Sequence, residues 1–427
     1  MTALTVPEAR ALQAVDVADA VAMLVELTRV PSVSGSDAEV EIQHRLAKKL
    51  SDLDLDVDLW RFDLPSLQCQ PDFPGAERPR TEAWGLVGTL HGDTAEPSLV
   101  LQGHVDVVPP GDLDKWSTPP FEPFVAGGEL HARGACDMKA GVVANLAACA
   151  AIKKAGVVLR DSFALHYAVG EEDGGLGAFG TLRRGHTGRA CIITEPSSGT
   201  VMPANAGALT FTIEVPGLAT HGSTSYAGSS AIDSYLAIHQ ALRHLQDVRN
   251  REVEPLFAEY PVAYTISVGS LRAGDWASSV PDLLMAEGRM GTRAAESPDA
   301  ARTELEEAVA AAATQDPFLK DHPPRVRWSG GQFAGSSLPV GHPLHGVVAD
   351  AHADVTGSSR PRDRGAPYGS DARLYAGKDI PTLLYGPGDT RLAHGPNESV
   401  PIAEMLTVTR VLVLSILRSC GTLDTVG

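Results

Sequence analysis

The chain has 427 residues, of which 43% are hydrophobic and 21% charged, enough for two domains and a core that needs no disulfide staples. Thirty-five Lys and Arg against 53 Asp and Glu leave a net charge of -18. That is the wrong sign for a surface that neutralises phosphates, and it argues against nucleic acid as a partner.

The five cysteines (Cys69, Cys136, Cys149, Cys191, Cys420) are scattered and contain no C-x-x-C pair. Neither a disulfide framework nor a thiolate zinc site is expected, and the thiols are read as reduced. The first residues, "MTALTVPEARALQAVDVADAVAML", lack a basic start followed by an apolar run, so no signal peptide is expected. No uninterrupted apolar run reaches the roughly 18 residues of a membrane span. A cytoplasmic protein without membrane contact is the expectation.

Apolar positions recur at helical spacing over 16–30, and a proline-serine loop leads to a second helix capped near Ser36 or Asp37. From there strands and helices alternate. "GLVGTL" and "SLVLQGHVDVV" read as strands, "KAGVVANLAACAAIKKAG" as a helix, "SFALHYAVG" as a strand, "GLGAFGTLRRG" as a short helix and "ACIITEP" as a strand. This alternation predicts an α/β sheet covered by helices on both faces. Near Asn205 the pattern changes. "GALTFTIEVPG", "VAYTISVGSL" and "DLLMAEGRMGTR" read as strands with period-2 stretches, interleaved with helices over 229–248 and 297–315. These form an α+β unit of roughly 125 residues, inserted in the first domain. After it come a helix over 342–355, the string "GSDARLYAG", the strand "IPTLLYGPG", the loop "AHGPNESVP" and a helix over 402–420. The expected division is a first domain in two parts, 1–205 and 331–427, around an insert at 206–330.

Open α/β sheets hold ligands at the carboxyl ends of their strands. The residues at those ends here are His104 and Asp106, Asp137, the pair Glu171 and Glu172, Glu195, and His394. Two imidazoles and several carboxylates without thiolates suit zinc, cobalt or manganese, and the surplus of carboxylates suggests two ions sharing a bridge. One glutamate of the pair can then be a ligand while the other serves as general base. Asp106, two residues after His104, is placed to accept the second imidazole N–H. Each residue alone has a plainer reading: His-x-Asp as a satisfied loop pair, Glu171-Glu172 as a solvated turn, Asp137 as the N-cap of the helix beginning near Lys139.

At these residues the sequence resembles the M20 metallopeptidase and deacylase family, which includes acetylornithine deacetylase, succinyl-diaminopimelate desuccinylase, aminoacylase-1 and the glutamate carboxypeptidases. The strings "GHVDVVP", "ARGACDMKAG", "GEEDGGLGA", "TEPS", "ATHGS", "SVPD", "GSDARLYAG" and "AHGPNE" run in the family's order over almost the whole chain. The resemblance implies two Zn2+ per chain, with Co2+ or Mn2+ as substitutes. One is held by His104 and Glu195, the other by Glu172 and His394, Asp137 bridges them, and Glu171 is the general base and acid.

The resemblance further implies a zinc-peptidase-like catalytic domain interrupted by a lid that dimerises. His221, in "ATHGS", reaches the partner subunit's active site and stabilises the oxyanion. Arg289, Ser279 and Gly369 are the implied substrate contacts, Arg289 because its planar fork suits a carboxylate. Ser279 stands where many members carry asparagine, and Ala140 replaces a common glycine. Residues 68–85 read as a loop insertion with no evident role. "GSDARLYAG" is closer to desuccinylases and general deacylases than to acetylornithine deacetylases. The favoured activity is deacylation of an N-acyl amino acid, and a homodimer through the lid is expected. A dipeptidase or carboxypeptidase is the alternative within the family, and a non-enzymatic binding protein on the same scaffold the alternative outside it. No G-x-S-x-G elbow is present.

Overall fold

A computed structural model describes residues 3–423, and the chain divides into two compact units. The first comprises Met1–Ala204, Ser337–Arg364 and Asp371–Gly427, the second Asn205–Ser336 and Gly365–Ser370.

The first unit is a mixed α/β structure around a sheet whose centre is parallel. Phe163–Ala168, Leu99–His104, Cys191–Ile193 and Thr382–Leu384 lie side by side and parallel in that order. The antiparallel strands Trp84–Leu90 and Asp56–Arg61 extend the sheet beyond Phe163–Ala168. Every residue of Leu99–His104 and Phe163–Ala168 is buried. That is why "LVLQG" and "FALHYA" read as apolar runs and not as alternating strands. The helices Val17–Thr28, Ala140–Lys154, Pro343–Thr356 and Ile402–Cys420 pack together as one group. Ala38–Asp52 and Leu176–Arg184 pack against Trp84–Leu90.

Ala140–Lys154 continues the turn at Ala135–Lys139, and the combined segment is apolar and long enough to cross a bilayer by composition alone. Its apolarity is used in the core, since 89% of that window is buried inside the protein. Small residues let this helix approach the sheet. A Cβ on Gly141 would lie 2.1 Å from the carbonyl oxygen of Thr194, while Asn145 Nδ2 donates to Thr194 Oγ1 at 3.0 Å. All five cysteines are unpaired.

The second unit is a four-stranded antiparallel sheet in the order Ile266–Ala273, Leu283–Thr292, Gly207–Pro216, Arg325–Phe333. Leu209, Phe211, Ile213 and Val215 occupy every second position of Gly207–Pro216 and are buried. The helices Ala231–Arg249 and Pro298–Ala313 pack on each other and share that core. The expected end of the insert at 330 falls inside a strand. Arg325–Phe333 stays paired with Gly207–Pro216 as far as Phe333, opposite Ala208. Gly365–Ser370 also belongs to this unit. Phe257 lies against Gly365, Phe333 against Gly369, and Tyr260 Oη donates to the Gly365 carbonyl at 3.0 Å.

The close approach at Gly141 has a measurable consequence. Gly141→Ala should destabilise by about 1–3 kcal/mol, the usual cost of overpacking. Gly346→Ala, in Pro343–Thr356 with nothing near its Cβ position, should stabilise by about 0.5–1 kcal/mol. Denaturant unfolding of both variants is the check.

Candidate metal centre

The parallel strands of the first unit deliver their polar residues to one place. His104 ends its strand. Glu171 and Glu172 follow Phe163–Ala168 across Gly170, Glu195 follows Cys191–Ile193, and Asp137 sits in the turn Ala135–Lys139 that leads into the core helix. His394 lies in the loop after Thr382–Leu384, at φ 62°, a left-handed conformation that side-chain-bearing residues seldom adopt and that recurs at functional sites.

Asp137 is at the centre. Its Oδ1 lies 3.2 Å from His104 Nε2 and its Oδ2 lies 3.5 Å from His394 Nε2. Each imidazole has a second carboxylate beside it: Glu195 Oε1 is 3.7 Å from His104 Nε2, and Glu172 Oε2 is 3.0 Å from His394 Nε2. Glu171 joins His104 and Glu195 in a second tight group, with potential donor atoms within 4.8 Å of one another. Glu171 and Glu195 are buried and the Glu172 carboxylate is nearly so, while the His394 side chain is half exposed. Two of the plainer readings fail on these observations. The glutamate pair is not a solvated turn, and Asp137 makes no side-chain cap to the following helix, whose N-cap is Lys139.

The expected role of Asp106 needs correction. His104 Nδ1 is 3.0 Å from the main-chain carbonyl of Asp106, whereas the carboxylate stands 3.6 Å away. That carboxylate instead accepts the amide N–H groups of Glu171 and Glu172 at 3.1 and 3.2 Å and the Ser34 hydroxyl at 2.8 Å. It orients the glutamate loop, and a carbonyl orients the imidazole. Three acceptable donors outcompete one imidazole for a buried carboxylate.

Two further residues complete the frame. Glu398 accepts from Arg133 Nη1 at 2.6 Å and from the amides of Gly134, Cys136 and Asp137 at 3.1, 2.8 and 3.0 Å. Arg133 Nη2 donates to the His394 carbonyl at 3.2 Å. One buried ion pair therefore holds the backbone of Asp137 and of His394 together, the kind of support that orients ligands. Both residues lie in strings that mark the site, "ARGACDMKAG" and "AHGPNE", but nothing local pairs positions so far apart in sequence.

His221, Ser279, Arg289 and Gly369 belong to the second unit. His221 and Ser279 are paired by an isolated bridge. The Ser223 amide donates to His221 Nδ1 at 3.2 Å, so the neutral ring carries its proton on Nε2. Arg289 lies within Leu283–Thr292 opposite Ser267 and Thr210, has no ion-pair partner among the described residues, and burial lowers its pKa. Gly369 lies against Phe333.

The electrostatics describe a cluster that lacks positive charge. Burial raises Glu171 and Glu195 well above the ordinary carboxylate range, His104 pulling against it and the neighbouring carboxylates adding to it. Burial also raises Glu172. It would raise Asp137 too, but both imidazoles hold that carboxyl below its usual value. The charge of Glu172, with Asp137, pushes His394 up to about 11. Burial would depress His104, but Glu195, Asp137, Glu171 and Asp106 together hold it well above its ordinary range. Glu172 Oε1 is buried without a hydrogen-bond partner among the described residues. Carboxylate and imidazole donors around a bridging aspartate, with one orphaned oxygen, fit divalent cation binding.

A donor set of this kind at the carboxyl ends of a parallel sheet is that of a metal-dependent hydrolase. The sequence profile of peptidase family M20/M25/M40 matches residues 100–418. The chain belongs to that family, and is thereby a hydrolase of amide or peptide bonds with a site for divalent metal. It is 28% identical over 356 residues, 78% of this chain and 82% of the relative, to an N-formyl-4-amino-5-aminomethyl-2-methylpyrimidine deformylase of Halalkalibacterium halodurans. The deformylase of the same description from Bacillus subtilis is 27% identical over 402 residues, 89% of each chain. Among solved structures, a tripeptidase of Staphylococcus aureus superposes with a TM-score of 0.73 at 20% identity, covering 95% of this chain and 99% of that one. Human carnosine dipeptidase 1 superposes with a TM-score of 0.75 at 14% identity, covering 97% and 99%. At these identities the structures establish the shared fold.

Proton occupancy gives the pH dependence. Raised carboxyls such as Glu171 and Glu195 stabilise the folded metal-free chain below their unfolded values near 4.5 and lose that contribution as pH rises through the folded values. His394 acts in the same direction, its contribution present below 6.5 and lost as pH rises toward about 11. Cation binding needs the same groups deprotonated and strengthens as pH rises. The gap in Tm between zinc-loaded and chelated protein should therefore widen from about pH 6 to about pH 8. Thermal unfolding of the two forms across that range is the measurement.

Proposed function

We propose that the chain is an amidohydrolase that removes a small acyl group from the nitrogen of an amino acid, using two zinc ions shared through Asp137. The observation that carries this reading is the position of Asp137 between His104 and His394, one oxygen toward each. Glu195 would complete the set beside His104 and Glu172 the set beside His394, leaving Glu171 free of a ligand's duty. Relatives along most of the chain are named as deformylases, and others aligned over a shorter stretch as succinyl-diaminopimelate desuccinylases. Both descriptions support a small acyl group on nitrogen.

When bound, divalent cations lower the pKa of a water toward neutrality and polarise the scissile carbonyl. The chain's own groups do the rest. Glu171 accepts a proton from the attacking water and delivers it to the departing nitrogen as the carbon–nitrogen bond breaks, so that a carboxylic acid and an amine result, the acid then passing its proton to the amine or to solvent. Its burial, which favours the protonated form, suits a group that must hold a proton between those two events. Asp106 keeps the Glu171 backbone in register through its amide. In this reading the chain is a homodimer through the second unit, and His221 of the partner subunit offers its Nε2 proton to the developing oxyanion. Arg289, without an ion-pair partner among the described residues, would bind the substrate's carboxylate, with Ser279 and Gly369 beside the acyl-amino acid.

The test is a panel of N-formyl, N-acetyl and N-succinyl amino acids beside simple dipeptides, with and without chelator. Chelator-sensitive release of an acyl group is expected; cleavage confined to dipeptides would instead identify a peptidase. Glu171→Gln should lower kcat by at least ~10²-fold with little change in KM. Intact turnover in that variant would remove Glu171 from the mechanism.

A further inference from the structure

The segment 68–85 has no part in the site as described above, yet it lies directly against the glutamate loop. Its centre is Arg80, whose side chain is 2% exposed. The guanidinium donates to both oxygens of Glu39, Nε to Oε2 at 2.8 Å and Nη2 to Oε1 at 2.9 Å. It also donates to both oxygens of Asp173, Nη1 to Oδ2 at 2.8 Å and Nη2 to Oδ1 at 2.9 Å. The Glu39 and Asp173 side chains are 1% and 4% exposed.

Asp173 directly follows Glu172, and the same segment grips its backbone. The Arg78 amide donates to Asp173 Oδ2 at 2.9 Å and the Glu77 amide to the Asp173 carbonyl at 3.0 Å. Gly75 packs so closely on Gly174 that a Cβ there would lie 2.2 Å from the Gly75 carbonyl oxygen. On the far side of Arg80, Glu39 Oε2 accepts the Gly35 amide at 2.9 Å. The neighbouring Ser34 hydroxyl donates to Asp106, and Asp106 holds the amides of Glu171 and Glu172. The contacts close a ring, with the glutamate loop held by Asp106 on one side and by Arg80 on the other.

We infer that Arg80 is a positioning residue for Glu171 and Glu172, acting through Asp173, and that segment 68–85 is the wall that fixes the loop carrying them. The inference rests on the proposed roles of those two glutamates. The chemistry requires arginine. Two buried carboxylates repel unless a cation lies between them, and a rigid planar fork can satisfy four oxygens in one geometry, where a lysine ammonium has three donors and no fixed plane. The precision matters because Glu171 and Glu172 are adjacent. A tilt of their shared peptide swings both carboxylates, and a misplacement of about 1 Å at a reacting group costs on the order of 10²-fold in rate.

Amide hydrogen exchange on metal-free Arg80→Lys is the test, because it needs neither metal nor substrate and stands whether or not the proposed activity does. The loop amides of Glu171, Glu172, Gly174, Gly175 and Gly177 are all hydrogen-bonded in the native chain. They should exchange at least ~10-fold faster in the variant, with the rest of the first unit unchanged. Zinc-loaded Arg80→Lys should lose about 10²-fold in kcat while KM stays within about threefold. The control is Arg418→Met, which breaks another largely buried pair, with Glu8 and Asp354. It should lower Tm yet leave loop exchange and kcat alone. Should Arg80→Lys fail to fold, Asp173→Asn reports on the same contact. Loop exchange equal to wild type, or raised no more than in Arg418→Met, would overturn the inference.

Discussion

The first unit is organised around the concentration of negative charge at Asp137. Asp106, Asp137, Glu171, Glu172 and Glu195 converge at the ends of buried strands, where the imidazoles of His104 and His394 lie against them. Such a cluster is costly in a low-dielectric interior unless each carboxylate has protons, amides or cations to satisfy it. The surroundings supply amides and guanidinium groups to the carboxylates that do not face the centre: Asp106 takes two amides and a hydroxyl, and Glu398 takes three amides and Arg133. The carboxylates facing inward are left to a proton or a metal. This division is the physical difference between a supporting residue and a ligand.

The backbone follows from the same requirement. A turn, and not a helix cap, presents Asp137, and a left-handed residue presents His394. The core helix behind the turn closes on the sheet through Gly141 and packs its apolar length inside. Rigid strands supply direction, and the short loops after them supply the side chains, so that precision comes from the sheet and chemistry from its edge.

Much of this was legible in the sequence because it is written locally. The buried runs of the parallel strands, the period-2 pattern of Leu209, Phe211, Ile213 and Val215, and the acidic or imidazole residue after each strand are all short-range signals. What was not legible depends on pairs distant in the chain. Glu398 meets Arg133, and Arg80 meets both Glu39 and Asp173, across separations that no periodicity records. The same limit explains Asp106, where proximity to His104 in sequence suggested a partner that the glutamate amides had taken. It also explains the insert, whose last strand runs on to Phe333 because its register with Gly207–Pro216 continues, and which gains Gly365–Ser370 from much later in the chain.

If Asp137 is the shared ligand, the decisive quantity is the number of ions that depend on it. Zinc per chain, measured by plasma mass spectrometry after exhaustive dialysis, should be two for the wild-type protein and at most one for Asp137→Asn with its fold intact. Two ions retained by Asp137→Asn, or fewer than two bound by the wild type at saturation, would contradict a centre built on a bridging aspartate.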